Sequence, residues 1–224
     1  MALTVLKLGG SLANNPEKLR FLMEKLVELS SQYLLLIVPG GGEFADTVRS
    51  LDTRFNLSPK AAHRMAILAM DQYGLLLADL SPKTTVVRTF EDTKISLKLS
   101  NLSIFLPSSI MFSEDPLENS WNITSDSISL YIAHRLGAQQ VLLITDVDGV
   151  FESDPKQQYG AKLIDKISAN QLSKLSVRTS VDAAFSGLLM KWPTVCYVVN
   201  GLFPERIETI LAGKKTLSTL ITNQ

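Results

Sequence analysis

The sequence predicts an α/β protein, a three-layer αβα sandwich around a mainly parallel sheet. Three observations carry this. Short aliphatic runs alternate with longer segments whose apolar residues recur at helical spacing. Two of the runs, 4–8 and 33–38, end in consecutive glycines, Gly9-Gly10 and Gly40-Gly41-Gly42, before the next helix begins. No internal repeat or low-complexity segment interrupts the alternation. Strands joined through helices pair in parallel with right-handed crossovers, and helices then cover both faces of the sheet.

The elements follow in order. Residues 4–8 read as a buried strand. Asn14-Asn15-Pro16 marks a helix start, and Leu19, Leu22, Met23, Leu26, Val27 and Leu29 follow at helical spacing. The second strand, 33–38, runs into the triple glycine, and 43–51 is a helix. Ser58-Pro59 starts a longer one to about Ala78, with proline suited to the first helical position. A strand is expected at 84–87, a short strand or edge segment at 94–99, and another strand at 103–106. The polar stretch 108–119 reads as a loop. Thr124-Ser125-Asp126 resembles a helix cap, and Gly137 is a natural stop for that helix. Residues 141–144 form the clearest buried strand, followed by a tight acidic turn at 146–149. Beyond an irregular stretch, helices are expected at 164–175, 181–190 and 205–212, with strands at 195–199 and 219–222.

The chain has 224 residues, enough for a full core, with 46% hydrophobic and 20% charged residues. Its formal net charge is zero, so no strong pull toward nucleic acid or an anionic membrane is expected. The single cysteine, Cys196, excludes an intrachain disulfide and a cysteine-based zinc site, and reads as a small buried hydrophobe suited to a reducing compartment. The opening residues read as a strand and not as a signal peptide, and no apolar run is long enough to span a bilayer. The expected location is the cytoplasm.

The two glycine loops point to anion chemistry. A buried strand that runs through glycines into a helix leaves bare N–H groups at the helix N-terminus, which suits a phosphate. Two such loops within the first fifty residues suggest two phosphate cradles facing one another. Lys7 lies inside an otherwise apolar strand, and a charge there needs a partner.

Four stretches carry a resemblance to the amino acid kinase superfamily, which includes acetylglutamate, aspartate, uridylate, carbamate and isopentenyl phosphate kinases. They are Lys7-Leu8-Gly9-Gly10-Ser11, Pro39-Gly40-Gly41-Gly42, the stretch 122–126 with its helix to Leu136-Gly137-Ala138, and Ile144-Thr145-Asp146-Val147-Asp148-Gly149-Val150-Phe151. They stand in the superfamily's order and spacing across nearly the whole chain. Three further stretches, at 42–49, at 63–74, and Tyr197-Val198-Val199-Asn200-Gly201 with Pro204-Glu205-Arg206, resemble a small subgroup from methanogens and methylotrophs. That subgroup includes the (aminomethyl)furanmethanol phosphate kinase of methanofuran synthesis.

The resemblance implies a carbamate kinase-like fold in one domain. Residues 1–137 would form an acceptor-side lobe and 138–224 a nucleotide-side lobe. It implies an ATP-dependent kinase, with Mg²⁺ riding largely on ATP, that passes a phosphoryl group to a phosphate monoester. Phosphoryl transfer needs positioning and charge neutralisation more than a covalent group. Lys7 would reach the transferring phosphoryl, and Asp126 would hold catalytic lysines in place while also capping its helix. Gly9, Gly10 and Ser11 would hold the ATP phosphates. Thr145, Asp146, Asp148, Gly149, Val150 and Phe151, with Asp154 nearby, would form the nucleotide-binding turn. Gly40, Gly41, Gly42 and Asn122 would face the acceptor. His63 reads equally as a ligand of the acceptor's phosphate or as a structural residue. Homo-oligomers are common in the superfamily, and the methionine- and alanine-rich helix from Pro59 is a candidate contact face.

One departure matters. Aligned on Thr179-Ser180, Val181-Asp182-Ala183 falls where the superfamily commonly has Gly-Gly-Met, and Ser186 falls where a lysine usually follows. The Gly-Thr pair usual near the C-terminus is altered to Ser218-Thr219. Two other readings therefore stand beside the leading one: a nucleotide-binding subunit without catalysis, and a carboxylate or carbamate kinase forming an acyl phosphate.

Overall fold

The computed structural model describes residues 2–99, 102–153, 160–175, 181–192 and 194–223. Its centre is an eight-stranded sheet in the order β3-β4-β2-β1-β5-β7-β8-β6. The strands are β1 (Leu3–Leu8), β2 (Leu34–Pro39), β3 (Thr84–Val87), β4 (Leu102–Phe105), β5 (Gln140–Thr145), β6 (Lys166–Ser168), β7 (Val195–Asn200) and β8 (Thr219–Thr222). All neighbours pair in parallel except β7 and β8.

The helices lie on both faces. They are α1 (Pro16–Ser30), α2 (Gly42–Phe55), α3 (Pro59–Leu80), α4 (Phe90–Lys98), α5 (Ser108–Glu114), α6 (Ser125–Leu136), α7 (Ala169–Leu172), α8 (Phe185–Lys191) and α9 (Pro204–Leu211). Strand alternation splits the core in two. Val5, Leu36, Val38, Val141 and Leu143 pack with Ile128, Ile132 and Phe185 on one face. Leu6, Leu8, Leu35, Ile37, Leu142 and Ile144 pack with α1 and Ile207 on the other. Three layers result, as the sequence predicts. No helix among the described residues is long and apolar enough to cross a membrane.

This order places the site. From β1 the chain moves to β2 and outward on one side, then returns to lay β5 on the other side of β1. Ligands of open α/β sheets bind at such a reversal, beyond the carboxyl ends of the strands.

Four expectations are corrected. The edge segment expected at 94–99 is the end of α4. Thr89 caps that helix by accepting the Asp92 N–H at 3.0 Å. Its buried side is polar, Thr93 and Ser96, while Ile95 and Leu99 are exposed, so its apolar pattern misleads. The expected loop at 108–119 contains α5, and the carboxylate that accepts the Ser108 N–H at 3.2 Å comes from distant Asp71. Residues 164–175 hold the edge strand β6 and only one helical turn, α7, which begins with a Ser168–Gln171 capping box. The helix expected from Val181 begins at Phe185, because the Asp182 side chain takes the Phe185 N–H at 2.9 Å and holds the preceding residues in a turn.

Candidate active site

The two glycine loops meet because their strands are neighbours. The Gly40 N–H donates to the Leu8 carbonyl at 2.7 Å, and the Gly9 N–H donates to the Ile144 carbonyl at 2.8 Å. Gly10 sits directly on Gly42, and a Cβ at Gly10 would collide with the Gly42 Cα and N. Gly42 has φ +53°, a left-handed conformation that glycine adopts without strain. Close backbone approach and a turn into α2 thus both require glycine here.

Beside the loops lies a cavity of about 340 Å³. Lys7, Gly10, Ser11, Gly41, Gly42 and His63 all line it. Lys7 shares the sheet face of Val5, two residues before it, and that face looks toward α6. Asp126 stands in the first turn of α6. The Lys7 Nζ lies 2.8 Å from Asp126 Oδ1, with side chains 12% and 7% exposed. The contact is ionic, without the angle of a directed hydrogen bond to Oδ1.

The first glycine loop is stitched to the acidic turn. Ser11 Oγ donates to Asp146 Oδ1 at 2.9 Å, and Thr145 Oγ1 donates to the same oxygen at 3.2 Å. Asp148 points elsewhere in the turn. Its Oδ1 accepts from Asn200 Nδ2 at 3.0 Å and from Arg206 at 2.5 Å. Val150 donates its N–H to Thr219 Oγ1 at 2.8 Å, and that hydroxyl donates to the Ile164 carbonyl at 2.6 Å. Phe151 forms an isolated bridge with Leu163. Asp154 lies outside the described residues.

His63, 5% exposed, faces the cavity from the first turns of α3. Burial lowers its pKa, against a hydrogen bond with the Ser120 backbone and the charge of Asp115. Asn122 is exposed and is not among the residues lining the cavity. Its neighbour Trp121 lines it instead, anchored by Nε1 donating to Asp52 Oδ2 at 2.8 Å. Arg49 also lines the cavity, its guanidinium 4.7 Å from the Trp121 ring and 3.1 Å from Asp46. The sequence assigns neither Arg49 nor Trp121 to the site, although Arg49 closes the subgroup-like stretch 42–49. Arg49 falls on the exposed side of an amphipathic helix, where arginines are ordinary. Ser186 is 5% exposed on α8 and is not among the cavity-lining residues.

Paired glycine loops at a sheet reversal, with a half-buried lysine beside them, define a phosphotransferase of α/β architecture. The amino acid kinase family matches residues 2–200, and the chain belongs to that family of ATP-dependent kinases. It is 39% identical over 217 residues to the [5-(aminomethyl)furan-3-yl]methyl phosphate kinase of Methanocaldococcus jannaschii, covering 97% of this chain and 96% of that one. It is 26% identical to the uridylate kinase of Pyrococcus abyssi, over 88% of this chain and 87% of that one. Among solved structures, the uridylate kinase of Archaeoglobus fulgidus superposes with a TM-score of 0.76 at 22% identity, covering 99% of this chain and 100% of that one. The UMP kinase of Ureaplasma parvum superposes with a TM-score of 0.77, also at 22% identity, over 99% of this chain and 98% of that one.

Proposed function

We propose that this kinase transfers the γ-phosphoryl group of ATP to a phosphate monoester, giving a diphosphate, and that the acceptor is an aminomethylfuran-type methyl phosphate. The observation that carries this is the single cavity that gathers Lys7, both glycine loops and the buried His63. In this reading Gly9, Gly10 and Ser11 hold the ATP phosphates, and residues 145–151 carry the nucleoside side. Gly40, Gly41 and Gly42 cradle the acceptor, with His63 and Arg49 toward its phosphate. Lys7, oriented by Asp126, neutralises charge on the transferring group. Preorganised charge and in-line positioning supply most of the acceleration in such reactions. Substrate identity rests on likeness to the M. jannaschii kinase, which spans nearly all of both chains.

Among the described residues, no three His, Cys, Asp or Glu side chains group to hold a metal ion. In this reading Mg²⁺ comes with the incoming nucleotide, where it would neutralise phosphate charge, because Mg²⁺ keeps several waters and binds mostly through substrate phosphates with one or two carboxylates. Among the described residues, Lys7 and Arg49 are the lysine and arginine that line the cavity, and in this reading they take the cationic role, with Ser186 buried on α8. Cys196 is buried and free, in keeping with a reducing cytoplasm.

ATP, Mg²⁺ and a panel of acceptors test the proposal: (aminomethyl)furanmethanol phosphate, isopentenyl phosphate and UMP. ADP release with the furan phosphate, at a kcat/KM above the other two, is the expected result. Preference for UMP or isopentenyl phosphate overturns the acceptor assignment, and hydroxamate-trappable product from a carboxylate acceptor overturns the monoester class. A homo-oligomer is also proposed, because Leu68, Leu75 and Leu76 are exposed on α3. Sedimentation velocity on the full chain reads that directly, and a monomer at all concentrations removes it.

A further inference from the structure

We infer that Asp182 is a positioning residue for phosphoryl transfer, fixing Asp126 and through it Lys7. Its carboxylate reaches across from the turn before α8 to the start of α6. Oδ2 accepts the Thr124 N–H at 2.9 Å, the Thr124 hydroxyl at 3.0 Å and the Ser127 N–H at 3.0 Å. Oδ1 accepts the Ser127 hydroxyl at 2.6 Å and the Phe185 N–H at 2.9 Å. Thr124 and Ser127 flank Asp126 on either side, so both ends of its turn are held by one carboxylate. The Asp182 backbone N–H then donates to Asp126 Oδ2 at 3.2 Å.

The consequence is directional. With Oδ2 of Asp126 engaged by that N–H, its other oxygen, Oδ1, is the one that faces Lys7. The local alternative is weak, since the Thr124 hydroxyl sits 3.5 Å from the Asp126 N–H. First-turn N–H groups of a helix lack partners within it, and here a distant residue supplies them. Two carboxylates are thereby held side by side. Burial and then the Asp126 charge push the Asp182 carboxyl above its usual range, against hydrogen bonds from Ser127 and Thr124. Asp182 does not line the cavity, so it acts through its partner. Residues that orient a functional group from behind commonly change activity by about 10- to 100-fold when removed.

This inference rests on the reading of Lys7 and Asp126 as the transfer centre, and the experiment separates the two. Steady-state kinetics are measured for the full chain, Lys7→Ala, Asp182→Asn, Asp126→Asn and the Asp182→Asn/Asp126→Asn pair. For Asp182→Asn we expect kcat to fall about tenfold or more, while KM for ATP and for the acceptor stays within about threefold. In the Asp126→Asn background the same change should cost less than about twofold, because residues acting as a unit are not additive. Should Asp182→Asn fail to fold, Ser127→Ala removes only the 2.6 Å hydrogen bond, and its smaller loss of kcat should likewise vanish beside Asp126→Asn. Losses that multiply in the double variant, a change confined to KM, or full kcat in Asp182→Asn or in Ser127→Ala overturn the positioning role alone. An inactive wild type, or a fully active Lys7→Ala, overturns the transfer centre and the positioning role with it.

Discussion

The Lys7 ammonium and the Asp126 carboxylate face each other at 2.8 Å in a region largely closed to water. Removing one member of a buried pair strands the other charge. Lys7→Met is expected to destabilise the protein by about 3–5 kcal/mol and to lower kcat by at least about 100-fold. Lys7→Met combined with Asp126→Asn removes both charges, and the Asn oxygen still accepts the Asp182 N–H. Stability should return to within about 1–2 kcal/mol of wild type while activity stays lost. Urea midpoints and ADP release check the two halves separately. Recovery of activity in the double variant would remove Lys7 from the chemistry.

The contact between Gly10 and Gly42 gives a second expectation. Gly10→Ala has no room for its methyl group, since the obstacle is backbone and not a flexible side chain. The loops must part, so turnover should be lost along with several kcal/mol of stability. Gly187 is the control. It lies exposed in α8 with nothing near its missing Cβ. Gly187→Ala should raise stability by about 0.5–1 kcal/mol and leave kcat unchanged. Thermal melting and kinetics on the two variants test this together.

The legible parts of the sequence were those set by local pattern. β1, β2, β5 and β7 announce themselves as aliphatic runs, and both glycine loops follow from strand ends. Lys7 could be picked out because a lone charge in an apolar strand demands a partner, and Asp126 is that partner. What stayed hidden depends on contacts distant in sequence. α5 is capped by Asp71, α8 is delayed by Asp182, and α4 turns a polar face inward, where the Ser103 hydroxyl donates to that of Ser96 at 2.9 Å. Arg49 and Trp121 enter the site only because α2 and the segment before α6 meet over the cavity. Arg206 and Asn200, contributed by later elements, both donate to Oδ1 of Asp148, contacts that no local pattern announces.

Thr219 links three segments, its own strand β8, the turn at Val150 and residue Ile164, and is fully buried. Thr219→Val keeps the shape but leaves the Val150 N–H and the Ile164 carbonyl without that hydroxyl. A loss of about 1–3 kcal/mol is expected, with Thr219→Ser retaining most of the stability. If the turn at 146–151 carries the nucleoside, KM for ATP should rise in Thr219→Val more than KM for the acceptor. Equal stability of the Val and Ser variants would show that the hydroxyl bridge contributes little.

His63 sets an acid-side limit on stability. Its pKa in the folded protein lies below the ordinary 6.5, chiefly through burial, so the folded state takes up a proton less readily than the unfolded chain. As pH falls below 6.5 the unfolded chain is protonated first, and stability declines until the lowered folded value is passed. Above 6.5 both states are neutral at this residue and its contribution is complete. The slope cannot exceed about 1.4 kcal/mol per pH unit for one proton. His63→Gln should flatten the wild-type decline just below pH 6.5, leaving the loss carried by other groups at lower pH. Urea unfolding at several pH values in that window measures it. An unchanged slope in His63→Gln would mean that His63 is not the group taking up the proton. A phosphate monoester bound against the imidazole favours its charged form, so saturating acceptor should shift the wild-type decline in the same direction as the substitution does.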